Sequence, residues 1–221
     1  MRTCMEIARH CNFQGSSGSS GKGYLQPGEL LQNKYQIKRE LGEGSNGITY
    51  EAEVVSEGPE KGSLVAVKAL SLVKSRDWKA VELFERESRV LATLKHPSIP
   101  AYLDYFEVDS EEDRVFYLVQ CIAPGTTLEA MVESGWRPTE AEAVRIAVEL
   151  LNIIAYLESL RPPVVHRDIK PQNILIDGEG GGVSLVDFGA VAPTALGGGS
   201  TIVGTYGCAR ASRLARKYPV L

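Results

Sequence analysis

At 221 residues, 43% hydrophobic and 24% charged, the chain is long enough for one or two globular domains with real cores. A net charge of −4 and a pI near 5.5 give no bulk electrostatic case for nucleic acid as a partner. Four cysteines, Cys4, Cys11, Cys121 and Cys208, lie far apart without C-x-x-C or Cys/His spacing, so neither a zinc site nor a disulfide framework is expected, and a reducing, intracellular compartment is.

Residues 1–34 are expected to form a flexible segment, because 14–23 is nearly all Gly and Ser. No apolar core of a secretory signal is present; four basic residues against two acidic ones leave an organellar transit peptide as the alternative to the cytoplasm. Folding is expected to begin at Tyr35, with strands over 35–41 and 48–55 flanking Gly42-Glu43-Gly44-Ser45-Asn46-Gly47. A glycine-rich turn lets backbone N–H groups approach phosphates where a Cβ would stand in the way. In dinucleotide-binding proteins such a turn opens a helix; here a strand follows it.

After a charged loop, 64–70 reads as a third strand with Lys68 inside an apolar run, where an ammonium is costly without a partner. A helix is expected over 77–95, capped by Asp77 and stopped by His96-Pro97. Phe84, Glu87, Leu91 and Leu94 share one face of it. A glutamate on an apolar face wants a cation, and Lys68 is the candidate; Glu85 points elsewhere on the wheel. Two more strands, 101–108 and 114–121, surround an acidic turn. Beyond Pro124-Gly125 come a short helix over 127–134 and a long one that opens on the capping box Thr139-x-x-Glu142 and runs to Leu160. Its expected packing stripe is Val144, Ala147, Val148, Leu151, Ile154 and Ala155. Glu142, Arg145 and Glu149 make it too charged to span a membrane.

The stretch 164–189 carries the chemistry. Apolar strands at 174–176 and 183–186 flank Asp177-Gly178 and further glycines, which is a hairpin by pattern. His166-Arg167-Asp168 and Asn173 precede it, and Asp187-Phe188-Gly189 follows. Closing the hairpin brings Asp168, Asn173 and Asp187 to one end, where their oxygens suit Mg²⁺. H-R-D-x-K-P-x-N followed by D-F-G resembles the catalytic and magnesium loops of protein kinases. The glycine turn, V-A-V-K at 65–68 and Glu87 match the same family in order, over 35–207.

That resemblance implies an α+β, two-lobe fold. A small lobe over 35–122 would hold five antiparallel strands and one helix; a partial helical large lobe would cover 123–207. It implies ATP and Mg²⁺ as cofactors and a serine or threonine of a protein as acceptor. Leu41, Gly42, Glu43, Gly44, Ser45, Asn46, Gly47, Thr49, Ala66, Gln120, Ile122 and Leu175 would enclose the nucleotide. Lys68, held by Glu87, would grip its phosphates. Asp168 would receive the acceptor's proton, Lys170 would offset charge, as in the serine/threonine type, and Asn173 and Asp187 would hold the metal. Thr201, four residues before Thr205, is the expected activating phosphorylation site, with Arg167 as its partner.

The sequence departs from the family in three places. Cys121 stands where an acidic residue is usual, and Thr49 where valine usually lies over adenine. After Gly207 the family's A-P-E element is replaced by a basic tail over 208–221, which predicts a truncated large lobe. The alternative function is therefore an inactive kinase-fold protein that binds nucleotide or a partner.

Overall fold

The computed structural model describes residues 25–44, 47–75, 78–111, 113–178 and 181–193. The expectations for Ser45, Asn46, Asp77, Thr201 and the tail from Cys208 lie outside the described residues. The chain divides into two compact units after Gly125; the expected boundary was Ile122.

The first unit is an antiparallel sheet with helices. Its elements are β1 (Leu30–Leu31), β2 (Tyr35–Gly44), β3 (Gly47–Val54), β4 (Leu64–Ser71), α1 (Leu72–Ser75), α2 (Trp78–Leu91), β5 (Tyr102–Asp109) and β6 (Arg114–Cys121). Strand order is β1-β2-β3-β4-β6-β5, one strand more than the five expected. The packed chain also starts ahead of Tyr35, since Leu25 and Leu31 are buried in the core. That differs from a flexible segment reaching to residue 34: two leucines find apolar cover on the sheet, while the Gly/Ser run has no such side chains to bury.

Alternation gives the sheet two different faces. Ile48, Tyr50, Ala52 and Val54 of β3, Val65, Val67 and Ala69 of β4, and Tyr117 and Val119 of β6 form one apolar face, joined by Tyr35 and Ile37. The opposite row is set by register: Thr49 pairs with Lys68, Glu51 with Ala66, Lys68 with Leu118 and Ala66 with Gln120. Paired residues project on the same side, so Thr49, Ala66, Lys68 and Gln120 share the second face. Burying each large side chain of the core contributes about 1.5–3 kcal/mol.

Helix α2 buries Val81, Phe84, Glu87, Ser88 and Leu91, the face its periodicity predicted, but ends at Leu91 rather than Lys95. The short α1 was not foreseen. Asp113 holds it from the β5–β6 turn by accepting from the Ser71 hydroxyl and, at 3.0 Å, from the Val73 N–H. Asp104 on β5 accepts from Lys34 Nζ and Tyr35 OH, each at 2.9 Å. Cys121 is disulfide-bonded, which its distance from the other cysteines in sequence gave no sign of.

The second unit holds β7 (Thr126–Thr127), α3 (Leu128–Glu133), α4 (Glu140–Ser159), β8 (Val164–Val165), a 3₁₀ turn at Pro171–Asn173, β9 (Ile174–Ile176), β10 (Val183–Leu185) and β11 (Ala192–Pro193). Both helix starts are capped, the second by the capping box that the sequence indicates. Thr127 Oγ1 accepts from Ala130 N, and Thr139 and Glu142 form a reciprocal capping box. The packing face of α4 differs from expectation. Ile146, Ile153 and Leu157 are buried, whereas Val144, Val148, Leu151 and Ile154 of the expected stripe are exposed. The apolar arc of the helix is wider than the face it buries, so periodicity alone could not choose its inner side. Among the described residues, no helix is long and apolar enough to cross a membrane.

Tyr105 illustrates an unspent polar group. Its ring meets Phe84 at 6.2 Å, burial pushes its phenol up to about 12, and its hydroxyl is buried with no hydrogen-bond partner among the described residues. Removing an unsatisfied buried hydroxyl while keeping the ring should stabilise, so Tyr105→Phe is expected to gain about 1 kcal/mol. A urea midpoint that shifts downward in this variant would show that the hydroxyl has a stabilising role.

Candidate active site

The first unit contributes a glycine turn and a buried ion pair. The β2–β3 hairpin closes with Glu43 opposite Ile48 and Gly44 opposite Gly47, and an irregularity at Leu41 lies between the Glu40 and Gly42 pairings. The three glycines are not equivalent. Gly47 has φ of +112°, and a Cβ on it would lie 2.1 Å from the Ala69 carbonyl oxygen. Gly42 and Gly44 have nothing within 4 Å of such an atom. Gly47 is therefore demanded by the fold, while Gly42 and Gly44 leave backbone open to approach.

Lys68 projects from β4 on the same face as Thr49, Ala66 and Gln120. Its Nζ lies 3.0 and 2.8 Å from the two carboxylate oxygens of Glu87. The lysine is 13% exposed and the glutamate 1%, so the pair is shielded from water. Glu85 instead pairs with Arg89 one turn on, at 2.7 Å, as the helical wheel required. Gln120 and Ile122, at the end of this sheet, are half-buried, and Cys121 between them is buried.

The second unit gathers Asp168, Lys170, Asn173 and Asp187. Register pairs Ile176 with Val183, Leu175 with Ser184 and Ile174 with Leu185. The ladder continues one step, with Val186 N–H donating to the Asn173 carbonyl at 3.0 Å. Asn173 thus sits across from the residue preceding Asp187. Leu175 is half-buried on β9, between buried Ile174 and Ile176. Asp168 Oδ2 is 2.7 Å from Lys170 Nζ. Asn173 Nδ2 donates to the Asp168 carbonyl at 2.9 Å and to Oδ2 at 3.2 Å.

Two residues of this unit carry left-handed backbone without being glycine: Arg167 at φ 67° and Asp187 at φ 60°. Such conformations cost about 1–3 kcal/mol and persist where surrounding structure over-determines them. His166 supplies part of that structure, a role the sequence reading did not assign. It is buried, its ring meets Phe188 edge-on at 4.6 Å, and its Nε2 donates to the Val186 carbonyl at 3.2 Å. Nδ1 is then left to accept from Asp168 N–H at 3.4 Å. Burial holds the imidazole below its ordinary range, consistent with a neutral ring that donates on one side and accepts on the other.

The donor chemistry suits a hard cation. Asn173 commits its amide nitrogen to Asp168, which turns its side-chain carbonyl oxygen to other use, and Asp187 adds a carboxylate across the hairpin. Oxygen donors of this kind are what Mg²⁺ takes.

The protein kinase domain family matches residues 35–209. The chain belongs to the protein kinase domain family. Its relatives include the probable serine/threonine-protein kinase PknB of Lactococcus lactis, 31% identical over 82% of this chain and 28% of the relative. Serine/threonine-protein kinase B of Synechocystis is 36% identical over 73% of this chain and 27% of its own length. Serine/threonine-protein kinase 36 of Pongo abelii is 37% identical over 71% of this chain and 11% of its own length. The chain spans about a quarter of the bacterial relatives and less of the last. Protein kinases as a family use ATP and Mg²⁺.

The glycine contrast is testable. Gly47→Ala should cost about 2 kcal/mol of stability, because the new Cβ meets backbone in a conformation L residues avoid. Gly42→Ala and Gly44→Ala should each change stability by less than about 0.5 kcal/mol, having open space. Urea denaturation of the three variants decides it; equal losses at all three positions would contradict the distinction.

Proposed function

We propose that the chain is a serine/threonine protein kinase domain that transfers the γ-phosphoryl group of ATP to a hydroxyl of a protein substrate. The observation that carries the reading is the Asp168 carboxylate held between Lys170 and Asn173, with Asp187 one residue beyond the partner of Asn173 across the hairpin.

In such a transfer most of the rate comes from positioning and charge stabilisation. Lys68, oriented by both oxygens of Glu87, presents its charge to the α and β phosphates. The backbone at Gly42 and Gly44 lies open enough to cover them. In the first unit, Thr49, Ala66, Gln120 and Ile122 supply surface for the base and sugar; in the second, the family resemblance gives Leu175 a like role. Asn173 and Asp187 would hold Mg²⁺, which would offset charge on the phosphate oxygens. Asp168 accepts the proton of the incoming hydroxyl, and its acceptor oxygen is fixed by the bond from Asn173. Lys170 neutralises Asp168 in the resting site and lies close enough to stabilise charge on the group in transit. The family resemblance and the serine/threonine kinases among the relatives support the acceptor class, as does Lys170 two residues after Asp168.

Asp168→Asn in the full-length protein should lower kcat by about 10²-fold or more, the range expected for loss of a general base. ATP affinity should change less than about threefold, because the nucleotide is held by other groups. Steady-state phosphorylation of a generic protein substrate, with nucleotide binding measured separately, checks both. Parallel loss of turnover and affinity would contradict the role given to Asp168.

A further inference from the structure

We propose that Arg145 and Glu149, one turn apart on α4, are positioning residues for the metal-holding pair Asn173 and Asp187; this rests on the kinase reading above. The case starts from a weakness in the hairpin. The connection between β9 and β10 runs Asp177-Gly178-Glu179-Gly180-Gly181-Gly182, four glycines in six residues. Within it, Asp177 N–H donates to the Gly182 carbonyl at 2.9 Å and Gly181 N–H to the Asp177 carbonyl at 2.8 Å. Glycine restricts backbone conformation least, so the connection adds little beyond these two bonds to fix where β10 begins. Only three residue pairs lie between that connection and the Asn173–Val186 step beside Asp187. A displacement at the turn end has a short ladder to absorb it.

Two side chains of α4 grip that end from outside. Glu149 Oε2 accepts from the Val183 N–H at 2.9 Å, the first residue of β10. Arg145 Nη1 donates to the Gly181 carbonyl. The same guanidinium lies 2.7 Å from Glu149 Oε1, so each grip orients the other. Gly181 has φ of +62°, and a Cβ there would touch the Arg145 guanidinium at 3.4 Å, so the backbone is laid against the arginine. Helix α4 is itself anchored by buried Ile146, Ile153 and Leu157. The helix therefore adds, through two charged side chains, a second register restraint to the two backbone bonds of the turn. The buried residues Val183 and Leu185 then carry that register to Val186, whose N–H and carbonyl meet Asn173 and His166.

Neither residue approaches Asn173 or Asp187 in any contact described above, so the effect is one of placement. It predicts a signature that general destabilisation would not give. Glu149→Ala, Glu149→Gln and Arg145→Ala are compared with the wild type in the full-length protein by two readouts. The first is amide hydrogen exchange. Val183 and Val186 should exchange about tenfold faster in Glu149→Ala, with α4 amides near Ile153 unchanged, because the opening is local. The second is Mn²⁺ affinity, by electron paramagnetic resonance, in the presence of a non-hydrolysable ATP analogue. Affinity should fall about fivefold in Glu149→Ala, a little less than for groups that touch metal ligands directly. Glu149→Gln, which keeps a carbonyl acceptor for Val183, should recover most of both effects, and Arg145→Ala should lie between.

Unchanged Mn²⁺ affinity across the series, or faster exchange confined to Val183, would overturn the proposal. Loss of protection along all of α4 in step with the metal effect would overturn it too, since the residues would then act through stability alone. If the wild type binds no Mn²⁺–nucleotide, the kinase reading fails, while coupling between Val183 and Val186 exchange still decides whether the clamp sets the register.

Discussion

A glutamate with 1% of its side chain exposed must be neutralised, and in the first unit Lys68 pairs with it. Leaving one member of such a pair alone costs about 3–5 kcal/mol, whereas aliphatic residues of similar volume would often be as stable as the pair. Two buried charges are thus a poor choice for stability and a good one for setting orientation. Phe84, Val81 and Leu91 supply the burial that draws α2 to the sheet, but apolar contact is indifferent to small rotations. The bidentate contact from Lys68 to Glu87 selects one rotation of the helix and one rotamer of the lysine. Sheet register does the rest, placing Thr49, Ala66 and Gln120 on the face from which Lys68 rises.

The second unit solves a parallel problem with backbone. Asp168, Asn173 and Asp187 come from two sides of a hairpin whose strands are three residues each. Left-handed Arg167 and Asp187 are affordable only because neighbours hold them: His166 bonds on both ring nitrogens, Phe188 is buried against it, and Asn173 ties the Asp168 main chain and side chain together. The site is therefore specified by hydrogen-bond geometry on a small scaffold.

Much of this was legible in the sequence because it rests on local rules. Alternation located β2, short apolar runs between turn signals located the other long strands, and the capping box marked the start of α4. Helical periodicity set Glu87 apart from Glu85 and pointed it at Lys68. Motif order joined Asp168, Asn173 and Asp187 across a hairpin before any coordinates. What escaped is what depends on tertiary context. A two-residue strand such as β1 and a four-residue helix such as α1 have too few residues for any period to show. The inner side of α4 differs from expectation because its apolar arc is wider than the buried face, and the choice of Ile146, Ile153 and Leu157 is made by the elements it packs on. The special status of Gly47 came from the closeness of β4, and the clamp by Arg145 and Glu149 from contacts across more than thirty residues. None of these leaves a mark in a single stretch of sequence.

The central claim is that Lys68 and Glu87 act as one unit in holding Mg-ATP, and a double-mutant cycle on binding tests it most directly. Calorimetric titration of Mg-ATP into the full-length protein would compare wild type, Lys68→Met, Glu87→Gln and the double variant. The account predicts that Lys68→Met weakens binding by at least about tenfold and that adding Glu87→Gln costs almost nothing more, since the glutamate works through the lysine. Wild-type affinity in Lys68→Met, or single losses that simply add in the double variant, would contradict it.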